Sequence, residues 1–436
     1  MGSIEQIVEG MQTVLGPEAD RLARETGFIK RQGKVSGSGF VQVVVFGFQA
    51  NPDLTYTQLS GMAASAGLSI SPQGLEQRFG SESARFLQRV LERAVQQVIE
   101  HDQPAVAPLL ARFTGVYVRD STILQLPQEL QHTWRGLGGN QGPNAALKLQ
   151  VSWNYSTGQV HGPVLQDGRS ADQTSPYQAQ MLPAGALRLA DLGYFSIKQL
   201  AQDHRRGVYW LSRLKYGTVV LQTDGQRLDL LPWLRTQAPT ERDEQVLIGQ
   251  RERVPARLLA SRVPQEVADQ RRRRLREAAR VKGKQPSAEQ LALADWTLLI
   301  TNTASEQLSL PEARILLRVR WQVELLFKVW KSRAKIDEWR SHKPWRILTE
   351  IYAKLLGLLL HHWVAMVQLW PFLDRSLSRA VAVMQQHALA LLLALPDSAR
   401  LHDLLARLYL AFAKSCRLSK RAKTPATFQL LAAALP

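Results

Sequence analysis

The stretch RVRWQVELLFKVWKSRAK, Arg318 to Lys335, decides how the rest of the chain is read. Its apolar residues recur at helical spacing and the pattern reaches back to Leu308, so we expect one long amphipathic helix over Leu308–Lys335. At about 100° per residue, Arg320, Glu324 and Lys331 project within a sector of roughly 40°. An acid held between two bases on one helix face fits a solvated row of i,i+4 pairs. Phe327 shares that sector, which argues instead for a covered face. The helix alone leaves both readings open.

Two upstream aspartates bear on the choice. Asp120 follows VYVR and precedes STILQL; Asp191 ends ALRLA and precedes LGYF. Aspartate is depleted in strands, so each needs a reason, and for one alone a turn or a helix cap suffices. Two strand aspartates and a helix glutamate suggest more. Three convergent carboxylates repel one another unless cations lie between them. Oxygen-only ligands with open positions suit Mg²⁺ or Mn²⁺. Two such ions about 4 Å apart activate a water or a 3′-hydroxyl and stabilise the leaving oxygen of a phosphodiester.

The segments around these aspartates read as a sheet. GVYVRDSTILQLP (Gly115 to Pro127), AALKLQVSWNYSTGQV (Ala145 to Val160) and GPVLQDG (Gly162 to Gly168) are β-rich runs divided by turn residues. A strand ending at Asp191, a helix from Ile197 to His204 and a strand over Gly207–Gly217 follow. This order predicts an α/β sheet with antiparallel entry. Residues 218–305 read as an insertion with β-like pieces (TVVLQ, RLDLL, PARLLASRV, WTLLITN) and a basic helix, RRRRLREAARVKGK. Over 251–290 there are 12 basic and 5 acidic residues, a difference of +7. The Arg271–Arg274 run grips DNA backbone or is a solvated face; both readings stand.

Outside the sheet the chain reads as helical. TYTQLSGMAASAGLSISPQGLEQRF (Thr55 to Phe79) is helix, turn, helix, with Ser71 as a cap ahead of Pro72; it fits a DNA-binding helix-turn-helix or a plain helical hairpin. FVQVVVFGF (Phe40 to Phe48) has β propensity among helical neighbours and stays ambiguous. Pro344 and Trp345 mark a break, after which the chain is helical to a second basic cluster, Lys414 to Lys423.

Composition sets outer bounds. The 436 residues suggest two to four domains, and 45% hydrophobic with 21% charged residues excludes a disordered or collagen-like chain. Lys and Arg total 55 against 37 Asp and Glu, a formal charge of +18, which points to a polyanionic partner. The single cysteine, Cys416, excludes a disulfide scaffold and a Cys-rich zinc site. The opening MGSIEQIVEG carries Glu5 and Glu9 and does not read as a signal peptide. Ile351 to Trp370 is interrupted by Lys354, His361, His362 and Gln368, so it reads as a buried helix and no membrane partner is expected. His204, His361 and His362 form no zinc pattern. GLGGN (Gly136 to Asn140) lacks the helix and lysine of a P-loop, so no nucleotide cofactor is expected.

With these residues in view, the chain resembles the DDE transposases of the bacterial insertion-sequence-four group. The group's glutamate helix carries Tyr, two residues, Arg, three residues, Glu, six residues, Lys. Arg320, Glu324 and Lys331 match that spacing, and Leu317 replaces the tyrosine. VRDSTIL, LADLGYFS and LALADWTLLITN resemble further blocks of the group in order, and the likeness runs from about residue 30 to 430. It implies an RNase-H-like catalytic core interrupted by a β-rich insertion and flanked by helical N- and C-terminal regions. The spacings 191 − 120 = 71 and 324 − 191 = 133 leave room for that insertion in the second gap. The domains expected are residues 1–105 (helical, DNA-binding), 106–217 with 306–345 (core), 218–305 (basic insertion) and 346–436 (helical, a dimer interface).

The resemblance also implies function. Asp120, Asp191 and Glu324 would coordinate two Mg²⁺, with Mn²⁺ able to substitute. Arg320 and Lys331 would position the scissile phosphate, and Lys328 would join Arg271, Arg272, Arg273 and Arg274 on DNA. Trp296, 320 − 296 = 24 residues before the signature arginine, would stack on a flipped base, though it equally suits a core position opening a strand. The expected enzyme is a cytoplasmic, nucleoid-associated transposase. It cleaves transposon ends through a hairpin intermediate and joins them to target DNA, as a homodimer on double-stranded DNA carrying terminal inverted repeats. The rival readings are an inactive or domesticated DNA-binding relative and a nuclease of the same fold without strand transfer.

Overall fold

The computed structural model describes residues 2–31, 33–97, 99, 107–139, 142–236 and 240–434. The domain boundary expected at 105–106 and Asn140 of the GLGGN loop lie outside these residues. The chain begins with α1 (Gly2–Leu15), α2 (Pro17–Glu25), α3 (Gly37–Ala50), α4 (Tyr56–Ser65), α5 (Pro72–Arg78), α6 (Ser81–Gln96) and α7 (Pro108–Ala111). Then come β1 (Val116–Leu126), β2 (Ala145–Asn154), β3 (Val160–Asp167), β4 (Leu187–Ala190), α8 (Ile197–Arg205), β5 (Tyr209–Arg213), β6 (Val220–Leu221) and α9 (Leu230–Arg235). They are followed by β7 (Glu241–Ile248), β8 (Val254–Arg262), α10 (Gln265–Val281), α11 (Ala288–Leu293) and β9 (Trp296–Thr301). The chain closes with α12 (Leu310–Arg320), α13 (Gln322–Ala334), α14 (Pro344–Leu369), α15 (Leu377–Ala394), α16 (Ser398–Ser415) and α17 (Thr427–Ala433).

The fold is mixed α/β, with a nine-stranded sheet among the described residues in the order β3-β2-β1-β4-β5-β9-β8-β7-β6. Two compact units divide the chain. The first holds Met1–Pro108, Asp120–Ser170 and Gln322–Leu435; the second holds Leu109–Arg119, Ala171–Trp321 and Pro436.

In the first unit the core is helical. α3 carries the ambiguous FVQVVVFGF, and it is a helix. The Ser36 hydroxyl accepts the Gly39 N–H at 2.9 Å and caps it, and Phe40, Val41, Val44, Val45, Phe46 and Phe48 are all buried. A helix apolar on every side is stable only when surrounded, and here packing overrides the β propensity of the valines. α14 and α15 pack on α3, and α6 packs on α14. α14 starts with Pro344 in its first turn and is buried along nearly its whole length, as the Ile351–Trp370 reading expected. β2 and β3 pair antiparallel, Leu147 opposite Asp167. The helix-turn-helix segment forms as α4 and α5; the Ser71 hydroxyl accepts the Gly74 N–H at 3.1 Å, and Gly67 makes the turn at φ +77°.

In the second unit β1 pairs parallel with β4 from Val116–Leu187 to Arg119–Ala190, and β4 pairs parallel with β5. β9 runs antiparallel to β5 and to β8, so the segment after β5 extends the sheet. A core of Phe195, Trp210, Ile248, Leu258 and Ile300 fills one face. Two readings fail here. RLDLL makes only the bridge from Arg227 to Leu221 before its leucines start α9. β7 was not expected because its first half, Glu241 to Gln245, is mostly exposed and charged; only Val246 and Ile248 are buried.

The helix expected over Leu308–Lys335 is two helices. α12 ends at Arg320 and α13 begins at Gln322, with Trp321 between them. Trp321 keeps φ −63° and ψ −16°, and its N–H bonds to the Val319 carbonyl, so the backbone tightens locally. The boundary between the compact units falls at this residue. The 40° sector computed for one continuous helix therefore does not apply across Trp321; it survives only for Glu324 and Lys331, which share α13.

Candidate active site

The first unit carries two of the three candidate carboxylates. Asp120 lies inside β1, partly buried, and its Oδ1 accepts the Ser121 N–H at 2.8 Å. Glu324 lies in the first turn of α13, where the free N–H groups of the helix favour negative charge. Lys331, seven residues further on, projects about 20° from Glu324 around the same helix. Its Nζ donates to the Ile123 carbonyl at 3.1 Å. Lys331 of α13 thus reaches the backbone of β1, the strand that carries Asp120. Lys328 is exposed. Phe327, whose presence argued for a covered face, is buried with 5% exposure and stacks edge-on against Trp330.

The second unit carries the third carboxylate. Asp191 is the first residue after β4, and its side chain is 53% exposed. Arg320, whose side chain is only 12% exposed, places Nη1 3.8 Å from Asp191 Oδ1. The chain around Asp191 is held on several sides. Gln178 Nε2 donates to the Tyr194 carbonyl at 3.0 Å, and Gln173 Nε2 donates to the Phe195 carbonyl at 2.9 Å. Behind it, Arg188 on β4 forms a buried ion pair with Asp203 on α8, with one hydrogen bond from Nη2 to Oδ1. Burial holds the Asp203 carboxyl above its ordinary range and Arg188 below its own, although each partner's charge opposes the shift. No sequence motif marked this pair; the sole cue was an arginine placed in the apolar run ALRLA.

The remaining candidates divide. Trp296 opens β9 opposite Arg262 of β8 and lines a cavity of about 890 Å³ together with Arg213, Lys215, Tyr216, Arg271 and Arg274. Arg271 turns inward: Nη1 donates to the Trp296 carbonyl at 2.9 Å and Nη2 to Thr297 Oγ1 at 3.0 Å. Burial, with Arg213 nearby, lowers its affinity for the proton. Arg272 is held by Asp269, Asp295 and the Leu291 carbonyl. Arg273 and Arg274 are exposed. Leu317 is partly buried on α12.

Among the described residues no group of three or more His, Cys, Asp or Glu side chains forms a cluster that could hold a metal ion. The donor chemistry is nevertheless that of a hard cation: the three candidates offer carboxylate oxygens only, and one of them, Asp191, already faces a guanidinium.

The sequence model of the family described as "Transposase DDE domain" matches residues 111–360. The transposase for insertion sequence element IS231F of Bacillus thuringiensis subsp. israelensis is 28% identical over 454 residues, which cover 98% of this chain and 95% of that protein. The transposase for insertion sequence element IS1151 of Clostridium perfringens is 25% identical over 366 residues, 79% of this chain and 76% of its own. Among solved structures, a piggyBac transposase synaptic complex with hairpin DNA overlays at a TM-score of 0.45 and 9% identity, covering 96% of this chain and 86% of that one.

Proposed function

The chain belongs to the DDE-domain transposase family, and from that premise we propose that Asp120, Asp191 and Glu324 are its metal-binding catalytic carboxylates. As a DDE transposase it depends on divalent metal; Mg²⁺, with Mn²⁺ as a substitute, suits the oxygen-only donors. When bound, the metal activates the attacking oxygen and neutralises the charge that builds on the scissile phosphate and the leaving oxygen.

The observation that carries the reading is the register of β1 and β4. Their last registered pair is Arg119 with Ala190, an offset of 190 − 119 = 71; Asp120, the next residue of β1, and Asp191, the first residue after β4, keep that offset in the sequence. Lys331, bonded to the backbone of β1, supports the assignment of α13 as the glutamate helix. The parallel trio β1, β4 and β5, with β2 and β3 on the other side of β1, supports an RNase-H-like core.

The other roles follow from chemistry. Arg320 offers a planar, permanently charged fork to a phosphate, and Lys331 a point charge. Arg273, Arg274 and Lys328, all exposed, neutralise backbone phosphates. Arg271 and Arg272 support that surface from inside. Trp296 offers an aromatic plane to a base displaced from the duplex. Helices α4 and α5 read the transposon ends, and α15 and α16 join two copies, since two ends must be cut together. The reaction frees a 3′-hydroxyl at each end, passes through a hairpin, and joins the paired ends to target DNA in the nucleoid of the cytoplasm.

Glu324→Ala tests the reading. We expect it to bind an end-containing duplex like the parent protein and to lose Mg²⁺-dependent nicking, with the parent nicking in Mg²⁺ and not in Ca²⁺. Full nicking by the variant removes Glu324 from the metal site.

A further inference from the structure

Asp191 sits on a short, much-held segment. Leu192–Tyr194 form a single 3-10 turn, and Ser196 caps α8. Three residues before Asp191 and twelve after it, Arg188 and Asp203 close the segment on itself. Arg188 Nη2 donates to Asp203 Oδ1 at 2.8 Å, and Nε lies 2.6 Å from Oδ2; the side chains are 4% and 2% exposed. Gln199 Nε2 donates to the same Oδ1 at 3.0 Å. The turn admits little slack: a side chain at Gly193 would put its Cβ 2.5 Å from Asp172 Oδ2. Arg188 lies within β4 and is engaged with Asp203, while Asp191 follows the end of the strand. Arg188 touches no reacting atom and acts only through the backbone.

A buried ion pair of this kind adds little stability over an apolar pair of the same shape. What it adds is geometry: the Nη2–Oδ1 hydrogen bond and the close Nε–Oδ2 charge contact fix where α8 sits along β4. A metal ligand must be held within about 0.5 Å of its productive position, and the groups behind a ligand set that precision. We propose that Arg188 and Asp203 form a clamp, locked by Gln199, that positions the Asp191 carboxylate for metal binding. The clamp rests on the reading of Asp191 as a metal ligand.

The test uses the full chain in four forms: parent, Asp191→Asn, Arg188→Lys, and the double variant Arg188→Met with Asp203→Leu. Mn²⁺ binding is read from the spectrum of free Mn²⁺ by electron paramagnetic resonance. Nicking of an end duplex is titrated with Mn²⁺, and thermal unfolding and end binding are followed in parallel. The double variant is expected to unfold at the parent's temperature and bind the end duplex normally. It should bind Mn²⁺ about tenfold more weakly, need about tenfold more Mn²⁺ for half-maximal nicking, and recover at saturation. Arg188→Lys, which keeps the charge and loses the fork, is expected in between. A loss of folded protein lowers the amount of nicking and leaves the metal requirement alone, so the titration separates the two. If the double variant unfolds, Arg188→Lys decides: an unchanged Mn²⁺ requirement overturns the clamp. Parent-like Mn²⁺ affinity in the folded double variant, with Asp191→Asn defective, also overturns it while sparing the reading of Asp191. Parent-like behaviour of Asp191→Asn overturns both.

Discussion

Arg271 and Arg272 turn inward from α10, while Arg273 and Arg274 stay in solvent. The sequence shows four identical residues in a row, and residue type carries no information about which way each one faces. A helix advances about 100° per residue, so four consecutive side chains span most of its circumference and cannot share one surface. Their substitutions should therefore separate. Arg273→Ala and Arg274→Ala should each reduce the slope of log affinity against log salt by about 0.9, if each contacts one phosphate, and leave unfolding unchanged. Arg272→Ala leaves Asp269 and Asp295 without their shared cation and should lower stability by about 1–3 kcal/mol. Salt titrations of duplex binding and denaturant unfolding of the three variants check this. Equal effects of all three on binding alone would contradict the division.

Elements were legible wherever local pattern and tertiary burial agree. Strands β1 to β3 and helix α8 fall close to where alternation and turn residues put them; Asp120 lies inside β1 as expected, while Asp191 is one residue past the end of β4, at the cap of the turn that follows. Elements were missed or left open where the two disagree. In α3 a run of valines is helical because the surrounding helices cover every side of it. In β7 the residues Glu241 to Gln245 pair with β8 although they bury almost nothing. The break at Trp321 leaves no trace in the pattern, because the residue keeps a helical backbone and apolar spacing continues on both sides. α12 starts just after Ser309, with Pro311 and Glu312 in its first turn, two residues later than the Leu308 expected. Glu312 Oε2 accepts from both the N–H and the hydroxyl of Ser309, at 2.8 and 2.7 Å, and Oε1 lies 2.8 Å from Arg112. This ties α12 to the segment ahead of β1. Glu312→Ala removes all three interactions and should cost about 1–3 kcal/mol, and Glu312→Gln, which can still accept from Ser309, less. Denaturant midpoints of the two variants test this; equal losses would put the whole effect on the ion pair with Arg112.

At the scale of the whole molecule the net charge of +18 indicated a polyanionic partner and said nothing about the interior, where the titratable groups that govern acid stability lie. His361 and His362 are adjacent on α14 and almost completely enclosed. His362 Nε2–H donates to the Gly158 carbonyl at 2.7 Å. Burial, with His362 beside it, pushes His361 down to about 3 from 6.5, and burial pushes His362 down to about 4. Both rings are therefore neutral in the folded chain at pH values where they are charged in the unfolded one. Their contribution to stability is complete above about pH 6.5, the unfolded value. It is lost as the pH falls from there towards the folded values near 4 and 3, because the unfolded chain takes up two protons that the folded chain refuses. Each ring contributes a slope of about 1.4 kcal/mol per pH unit once the unfolded form is fully protonated. Against a typical total of about 5–15 kcal/mol, that makes the helical unit acid-labile well before its carboxylates titrate. Denaturant unfolding of the full chain between pH 7.5 and 5 should show a steep fall in stability beginning near pH 6.5. His362→Gln, which can still donate to Gly158, should reduce the slope by about half. A flat profile over that interval would mean that the two rings become protonated in the folded state.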